Sequence, residues 1–241
     1  GQFLVYTNVG KQEDLFAIRN DGTGIRQLTD DIYKDRGARW SPDGKRIIFY
    51  SNRNGRYELW SINPDGSGLQ QLTKTTGESP TTPLWFPDGK HILFKLGSCY
   101  ILDLGTPLDQ QKPQPIAPLG NNNELLSISS VSPNGKLLAG HRTQLNNTPI
   151  PGVLSYSLDD QKYQVLTDSG SNPIWLNDNR RLLYTLGDKI YLVDSQTKKF
   201  HLVMTPDANT QLRQITISRD NRMIYFINSS NESDIWQATL K

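Results

Sequence analysis

The chain has 241 residues, with 26 basic and 24 acidic side chains giving a net charge of +2, and only 35% of its residues are apolar. Charge this balanced, with no block of one sign, excludes a general attraction to nucleic acid or to an anionic membrane surface. No apolar run approaches the ~20 residues that cross a bilayer as a helix, and the single cysteine, Cys99, excludes an intrachain disulfide or a cysteine-rich zinc site.

The first element, Gly1-Gln2-Phe3-Leu4-Val5-Tyr6, reads as a strand, followed by a second over Asp14–Ile18 and a Gly-bearing turn at Asn20-Asp21-Gly22-Thr23-Gly24. A short strand then ends in Leu28-Thr29. The next stretch repeats this order with one strand added in front: Arg39-Trp40, the turn Ser41-Pro42-Asp43-Gly44-Lys45, a strand Arg46–Tyr50, another over Glu58–Ile62, the turn Asn63–Gly68, and Leu72-Thr73. Further copies of the turn follow at Phe86-Pro87-Asp88-Gly89-Lys90 and Ser132-Pro133-Asn134-Gly135-Lys136. Weaker ones stand at Leu176-Asn177-Asp178-Asn179-Arg180 and Ser218-Arg219-Asp220-Asn221-Arg222. The steps between first positions are 45, 46, 44 and 42 residues, and Gly1 stands 43 residues before Gly44.

Proline presets the backbone angle of a type I turn, and Ser and Asp side chains bond nearby backbone groups. The strand after each turn (Arg46–Tyr50, His91–Phe94, Leu137–Ala139, Arg181–Tyr184, Met223–Ile227) is almost continuously apolar, which predicts burial on both sheet faces. Third strands are predicted at Tyr100–Leu104, Val153–Leu158, Ile190–Val193 and Asp234–Trp236. Cys99 opens an apolar run and is expected to be buried as a small hydrophobe. The Pro/Gln-rich stretch from Gln110 to Pro118 reads as an enlarged turn, and Thr143–Gly152 as a long loop. Four short strands per ~44 residues, with no sustained 3.6-residue apolar period, predict a β-propeller. The expectation is one all-β domain of six mostly four-stranded antiparallel blades, with units near 1–37, 38–81, 82–126, 127–170, 171–212 and 213–241. The first blade lacks its innermost strand and the last an outer one.

The order Trp-Ser-Pro-Asp-Gly-Lys, apolar strand, acidic-Leu-Trp strand, Asp-Gly and Leu-Thr, best matched over residues 39–73, resembles the repeat of TolB-like propellers. The likeness fades in the later units, where Asn134, Asn177 and Arg219 replace motif residues. It implies a bacterial, periplasmic or extracellular setting, although no signal peptide stands in this sequence. Relatives with this repeat serve as binding proteins, as propeller domains of peptidases, as lyases and as sensor domains.

No G-x-S-x-G nucleophile elbow, P-loop or dinucleotide fingerprint occurs. Gly22-Thr23-Gly24 and Gly66-Ser67-Gly68 are hairpin turns, not phosphate loops. His91, His141 and His201 fall at different offsets in their units, so convergence on a metal is not expected. Asp14, Glu58 and Asp234 recur at one repeat position and are expected to bond backbone at a blade edge. Asn146, Asn228 and Asn231 open N-x-S/T triplets that matter only in a eukaryotic secreted protein. The irregular, polar connections between units, near Asp30–Ala38, Lys74–Pro83, Gly120–Ser127, Asp168–Asn172 and Pro206–Gln214, are where a ligand is expected, because a repeat needs no irregularity for stability. Arg36, Arg39, Glu78, Glu124, Asn172 and Arg213 are the candidate binding residues. No catalytic residue, metal or cofactor is assigned. The expected role is a monomeric, non-catalytic platform for a protein or peptide, without nucleic acid or membrane insertion. A propeller enzyme of lyase or hydrolase type and a ligand-sensing domain of a larger receptor remain the alternatives.

Overall fold

The computed structural model describes residues 2–9, 12–119, 124–144, 148–206, 212–229 and 233–239. They form two compact units, Gly1–Ile116 and Ala117–Lys241, each of three antiparallel sheets and neither containing a helix among the described residues. No helix is therefore long and apolar enough to cross a membrane.

The first unit holds β1 (Phe3–Val9), β2 (Glu13–Arg19) and β3 (Arg26–Gln27); β4 (Asp35–Trp40), β5 (Ile47–Ser51), β6 (Glu58–Ile62) and β7 (Gln70–Gln71); and β8 (Thr81–Trp85), β9 (His91–Leu96), β10 (Ser98–Asp103) and β11 (Gln114–Pro115). The second holds β12 (Glu124–Val131), β13 (Leu137–Gln144), β14 (Pro149–Ser157) and β15 (Tyr163–Val165); β16 (Ser171–Trp175), β17 (Arg181–Leu186), β18 (Lys189–Asp194) and β19 (Phe200–Met204); and β20 (Leu212–Ile217), β21 (Met223–Ser229) and β22 (Ser233–Thr239). Strands pair in sequence order within every sheet, and the first and last sheets have three strands where the others have four. These are the six blades of the propeller class read from the repeat.

The turns work as their chemistry predicts. Ser41 Oγ donates to Asp43 Oδ1 at 2.7 Å and accepts the Arg46 amide at 2.9 Å, and Asp43 Oδ1 accepts the Lys45 amide. Ser132 with Asn134 and Ser218 with Asp220 do the same. The fourth turn position has positive φ throughout: glycine at 44, 89 and 135, and asparagine at 179 and 221, the residue that tolerates this region best after glycine. In the second unit those two asparagines also reach the preceding blade. Asn179 Oδ1 accepts the Asn134 amide at 2.8 Å, and Asn221 Oδ1 accepts the Asn177 amide at 2.6 Å.

The strand after each turn is the core. Ile47, Ile48 and Phe49 of β5, Ile92 and Phe94 of β9, and Leu182 of β17 are fully buried. The aligned Leu4, Val5 and Tyr6 of β1 are only half-buried, as follows from β1 being the edge strand of its sheet among the described residues. Cys99 is buried, as expected.

Each inner strand (β4, β8, β12, β16, β20) carries one extra residue relative to its partner, a bulge just before the strand's aromatic or apolar end. In three blades the bulge residue has positive φ: Gly37 (+66°), Thr82 (+49°) and Asn172 (+52°). Glycine and asparagine adopt this conformation cheaply, whereas a β-branched side chain is strained there. Thr82→Gly is accordingly expected to raise stability by about 0.5–1 kcal/mol, the relief of strain exceeding glycine's added chain entropy. A thermal melt would show the midpoint rising, and a fall would mean that Thr82 makes a compensating contact.

Two sequence expectations are corrected. Thr143–Gly152 is not a long loop. β13 runs to Gln144 and β14 starts at Pro149, with Thr143 opposite Pro149 and Arg142 opposite Ile150. Both prolines are tolerated because Pro149 begins the strand and Pro151 lies in a register shift between Ile150 and Val153. The stretch Gln110–Pro118 is not merely an enlarged turn, since it contains β11. The Ile116 amide donates to Cys99 O just as those of Leu28, Leu72 and Leu166 donate to Leu15, Leu59 and Val153.

Candidate functional site

Arg36 lies on β4 itself rather than on a connecting loop, Arg39 lies on the same strand as expected, and the bulge decides how the two are presented. Residues three apart on a regular strand point to opposite faces. Here Arg36 pairs with Tyr50 and Arg39 with Ile48, three steps against two, so both arginines share the sheet face of Tyr50. Gly37 makes this possible: a Cβ there would stand 2.6 Å from Tyr50 Cε1.

Arg36 is locked in place. Its Nε and Nη2 donate to the two oxygens of Glu13, and its guanidinium lies 5.5 Å from the Tyr57 ring centre. Tyr57 in turn meets Tyr50 edge-on at 5.5 Å. Hydrogen bonding from Arg36 holds the Glu13 carboxyl below its ordinary pKa, and Lys34 adds an ion pair to the same carboxylate at 3.6 Å. The Tyr50 phenol is pushed up by burial. All four side chains remain partly open to water.

Glu78 is exposed on the Lys74–Pro80 connection. The loop is tied down through its backbone: Arg56 Nη2 donates to Gly77 O and Glu78 O, both at 2.7 Å, and Thr75 Oγ1 donates to Glu78 O at 3.2 Å. In the second unit, Glu124 starts β12 and pairs with Arg142 at 3.5 Å. Asn172 is the bulge residue of β16, so its identity already has a backbone reason. Arg213 falls within β20, and its side chain lies outside the described residues. The structure thus brings Arg36 and Arg39 onto one face, and it separates the candidates between the two compact units.

The recurring acids have the expected structural work. Thr29 Oγ1 accepts the Leu15 amide and donates to Asp14 Oδ1, and Thr73 Oγ1 accepts the Leu59 amide and donates to Glu58 Oε2 at 2.6 Å. At the aligned place in the fourth blade Thr167 accepts the Val153 amide and donates to Ser169 O instead. The side chains of Asn146, Asn228, Asn231 and Asp234 lie outside what the structure describes.

Sequence reasoning missed a buried charge cluster. Carboxylate oxygens of Asp14, Asp31 and Asp35 lie within 4.8 Å of one another. Arg53 enters this group, its Nη2 donating to both oxygens of Asp35 at 2.8–2.9 Å and its Nη1 standing 3.1 Å from Asp31. The guanidinium is also stacked 5.3–5.7 Å from the ring centres of Trp60, Tyr33 and Phe49. Burial, with repulsion from Asp35 and Asp31 behind it, raises the pKa of Asp14. Among the described residues this is the one group of three metal-capable side chains, and it includes no histidine. His91 bonds Asp88 at 2.6 Å within its turn, His141 is buried on β13, and His201 is exposed on β19.

Residues 2–148 match the family described as the TolB beta propeller domain. No curated protein sequence matches the chain. Among solved structures, TolB from Acinetobacter baumannii superposes with a TM-score of 0.74 at 16% identity, over 99% of this chain and 60% of that one. A putative TolB from Agrobacterium tumefaciens gives 0.73 at 14% identity, over 90% of this chain and 81% of that one. An oligogalacturonate lyase in complex with manganese gives 0.67 at 13% identity, over 98% and 69%. At these identities the likeness establishes the fold alone, and this chain spans 60% of the length of the Acinetobacter protein.

Proposed function

Because the chain belongs to the TolB beta propeller domain family, we propose that it acts as a non-catalytic platform for a protein or peptide, engaged through the side of its blades that carries the inter-blade connections. The observation that carries this reading is the Glu13–Arg36–Tyr57–Tyr50 group. Arg and Tyr are the residue types that dominate binding energy at protein interfaces, and here they are partly exposed and already held in one geometry. Side chains ordered before binding lose little entropy on contact. The platform is taken as a single propeller domain, working as a monomer in a periplasmic or extracellular setting.

Arg36→Glu tests the reading. The purified chain is used as bait, and the proteins that it retains are compared with those retained by the variant. A loss of at least about tenfold in retained partner is expected, since a reversed charge at an anchoring arginine removes one attraction and adds a repulsion. The exchange Glu13→Arg with Arg36→Glu preserves the ion pair while moving the charges, and it separates loss of binding from loss of fold. Equal retention by all three proteins would place binding elsewhere.

A further inference from the structure

The arginines of the second blade differ in what they are bonded to. Arg36 holds Glu13, Arg53 holds Asp31 and Asp35, Arg46 donates to Asn63 and Ser61, and Arg56 donates to two backbone carbonyls and stands 3.5 Å from Glu58. Arg39 alone in this set has no side-chain oxygen partner among the described residues. Its one hydrogen bond, at 2.9 Å, runs from Nη1 to the carbonyl of Ala38, leaving most of the guanidinium fork unused. The side chain reaches water, yet the protein around it removes enough solvent to lower its pKa.

The repeat shows that a charge is not needed there. Arg39 aligns with Leu84, Ser130, Ile174 and Thr216, the residues that precede the last residue of the other inner strands. All are uncharged, and all four blades form. The position is nonetheless held firmly in the second blade, where the Arg39 carbonyl accepts the Trp85 indole N–H at 3.3 Å. The bulge puts Arg39 on the same face as Tyr50, whose hydroxyl has no hydrogen-bond partner among the described residues. A guanidinium fork and a phenol carried on one sheet face are all donors toward an anion, and a planar carboxylate matches the fork with two parallel hydrogen bonds.

We propose that Arg39 and Tyr50 form a carboxylate-binding pair that takes the chain end or an acidic side chain of a bound polypeptide. The proposal rests on the platform reading above and names the chemistry that its partner must present. Arg36, pinned by Glu13 and Tyr57, keeps the neighbouring wall fixed and leaves Arg39 as the open arginine on that face among the described residues.

The test uses the full 241-residue chain labelled with ¹⁵N, following arginine Nε–Hε signals together with the Tyr50 ring resonances. N-acetylglycine stands for a chain end, N-acetylaspartic acid α-amide for an acidic side chain, and N-acetylglycinamide is the uncharged control. The Arg39 signal is expected to shift saturably with at least one carboxylate and not with the control, and the carboxylate saturating at lower concentration identifies the source. Tyr50→Phe should weaken binding several-fold, the loss of one hydrogen bond to a charged group. Arg39→Lys should weaken it too, a point charge replacing the fork, and Arg39→Gln should abolish the Tyr50 response. No shift at Arg39, an equal shift with the control, or an unchanged Tyr50 response in Arg39→Gln would overturn the proposal. A silent Arg39 in a chain whose partner is released by Arg36→Glu removes only the carboxylate pair. Saturable carboxylate binding beside unchanged partner retention removes only the placement of the platform around Arg36.

Discussion

Arg53→Ala is expected to cost the first unit about 3–5 kcal/mol, the range for removing one partner of a buried ion pair. Asp35 is fully buried and receives both oxygens' hydrogen bonds from this one guanidinium, so the variant leaves an unpaired buried carboxylate next to Asp14 and Asp31. It also removes the cation stacked on Tyr33, Phe49 and Trp60. Urea unfolding followed by tryptophan fluorescence would measure the loss. The sign of its pH dependence follows from Asp14. An acid whose pKa is raised on folding contributes stability below its unfolded pKa, and that contribution is lost as pH rises through the folded value. Burial and, behind it, the two neighbouring carboxylates already raise Asp14, and removing the Arg53 cation from the cluster drives it further in that direction. The deficit should be widest at neutral pH and narrow as the solution is acidified. A deficit that is the same at pH 7 and in mild acid would show that the lost stacking, not the lost charge, dominates. Adding Asp35→Asn to Arg53→Ala should recover part of the loss at neutral pH.

In the second unit, Gly140→Ala is expected to cost about 2–4 kcal/mol through overpacking. Gly140 lies on β13 opposite Ile128, where β12 bulges toward it. An added Cβ would fall on the Ser127 carbonyl oxygen and stand 2.9 Å from Ile128 Cα. Both are backbone atoms, so no side chain can swing away, and the two strands must separate. Gly44→Ala is the comparison. It forces an alanine into positive φ in open space, and should cost only ~1–2 kcal/mol. Thermal melts of the two variants distinguish the mechanisms, and a Gly140→Ala protein as stable as Gly44→Ala would mean that β12 yields easily at its bulge.

The turns, the apolar second strands and the three-stranded end blades were legible in the sequence, because each depends on residues close together in the chain. Ser-Pro-Asp-Gly carries its own hydrogen bonds, and Ile47-Ile48-Phe49 can only be buried on both faces. The candidate site was legible in part. Arg36 and Arg39 were singled out by position, but their common face depends on the bulge at Gly37, which adds one residue without any alternation for a pattern reading to detect. Glu13, Tyr57 and Arg53 acquire their importance only through pairings across strands, 23 residues apart for Arg36 with Glu13 and 18 for Arg53 with Asp35. A local signal existed for Glu13, since it is an acidic residue beside the recurring Asp14. β11 escaped because Ala117 replaces the threonine that marks the other outer strands, although the Ile116 amide makes the same bond. The hairpin at Thr143–Gly152 escaped because two prolines read as strand breakers, and both sit where the ladder needs no donor from them.

The asparagines at 179 and 221 stand where the earlier turns have glycine, and they behave as clasps. Each occupies the left-handed corner of its own turn while its side chain oxygen caps an amide on the blade before. Glycine would satisfy the corner and leave that amide to solvent. The rim of the second unit is therefore stitched from turn to turn, and an exposed hairpin tip that would ordinarily open by itself can open only together with its neighbour. Such coupling withholds these tips from a protease, which needs a stretch of backbone freed on its own before it can cut.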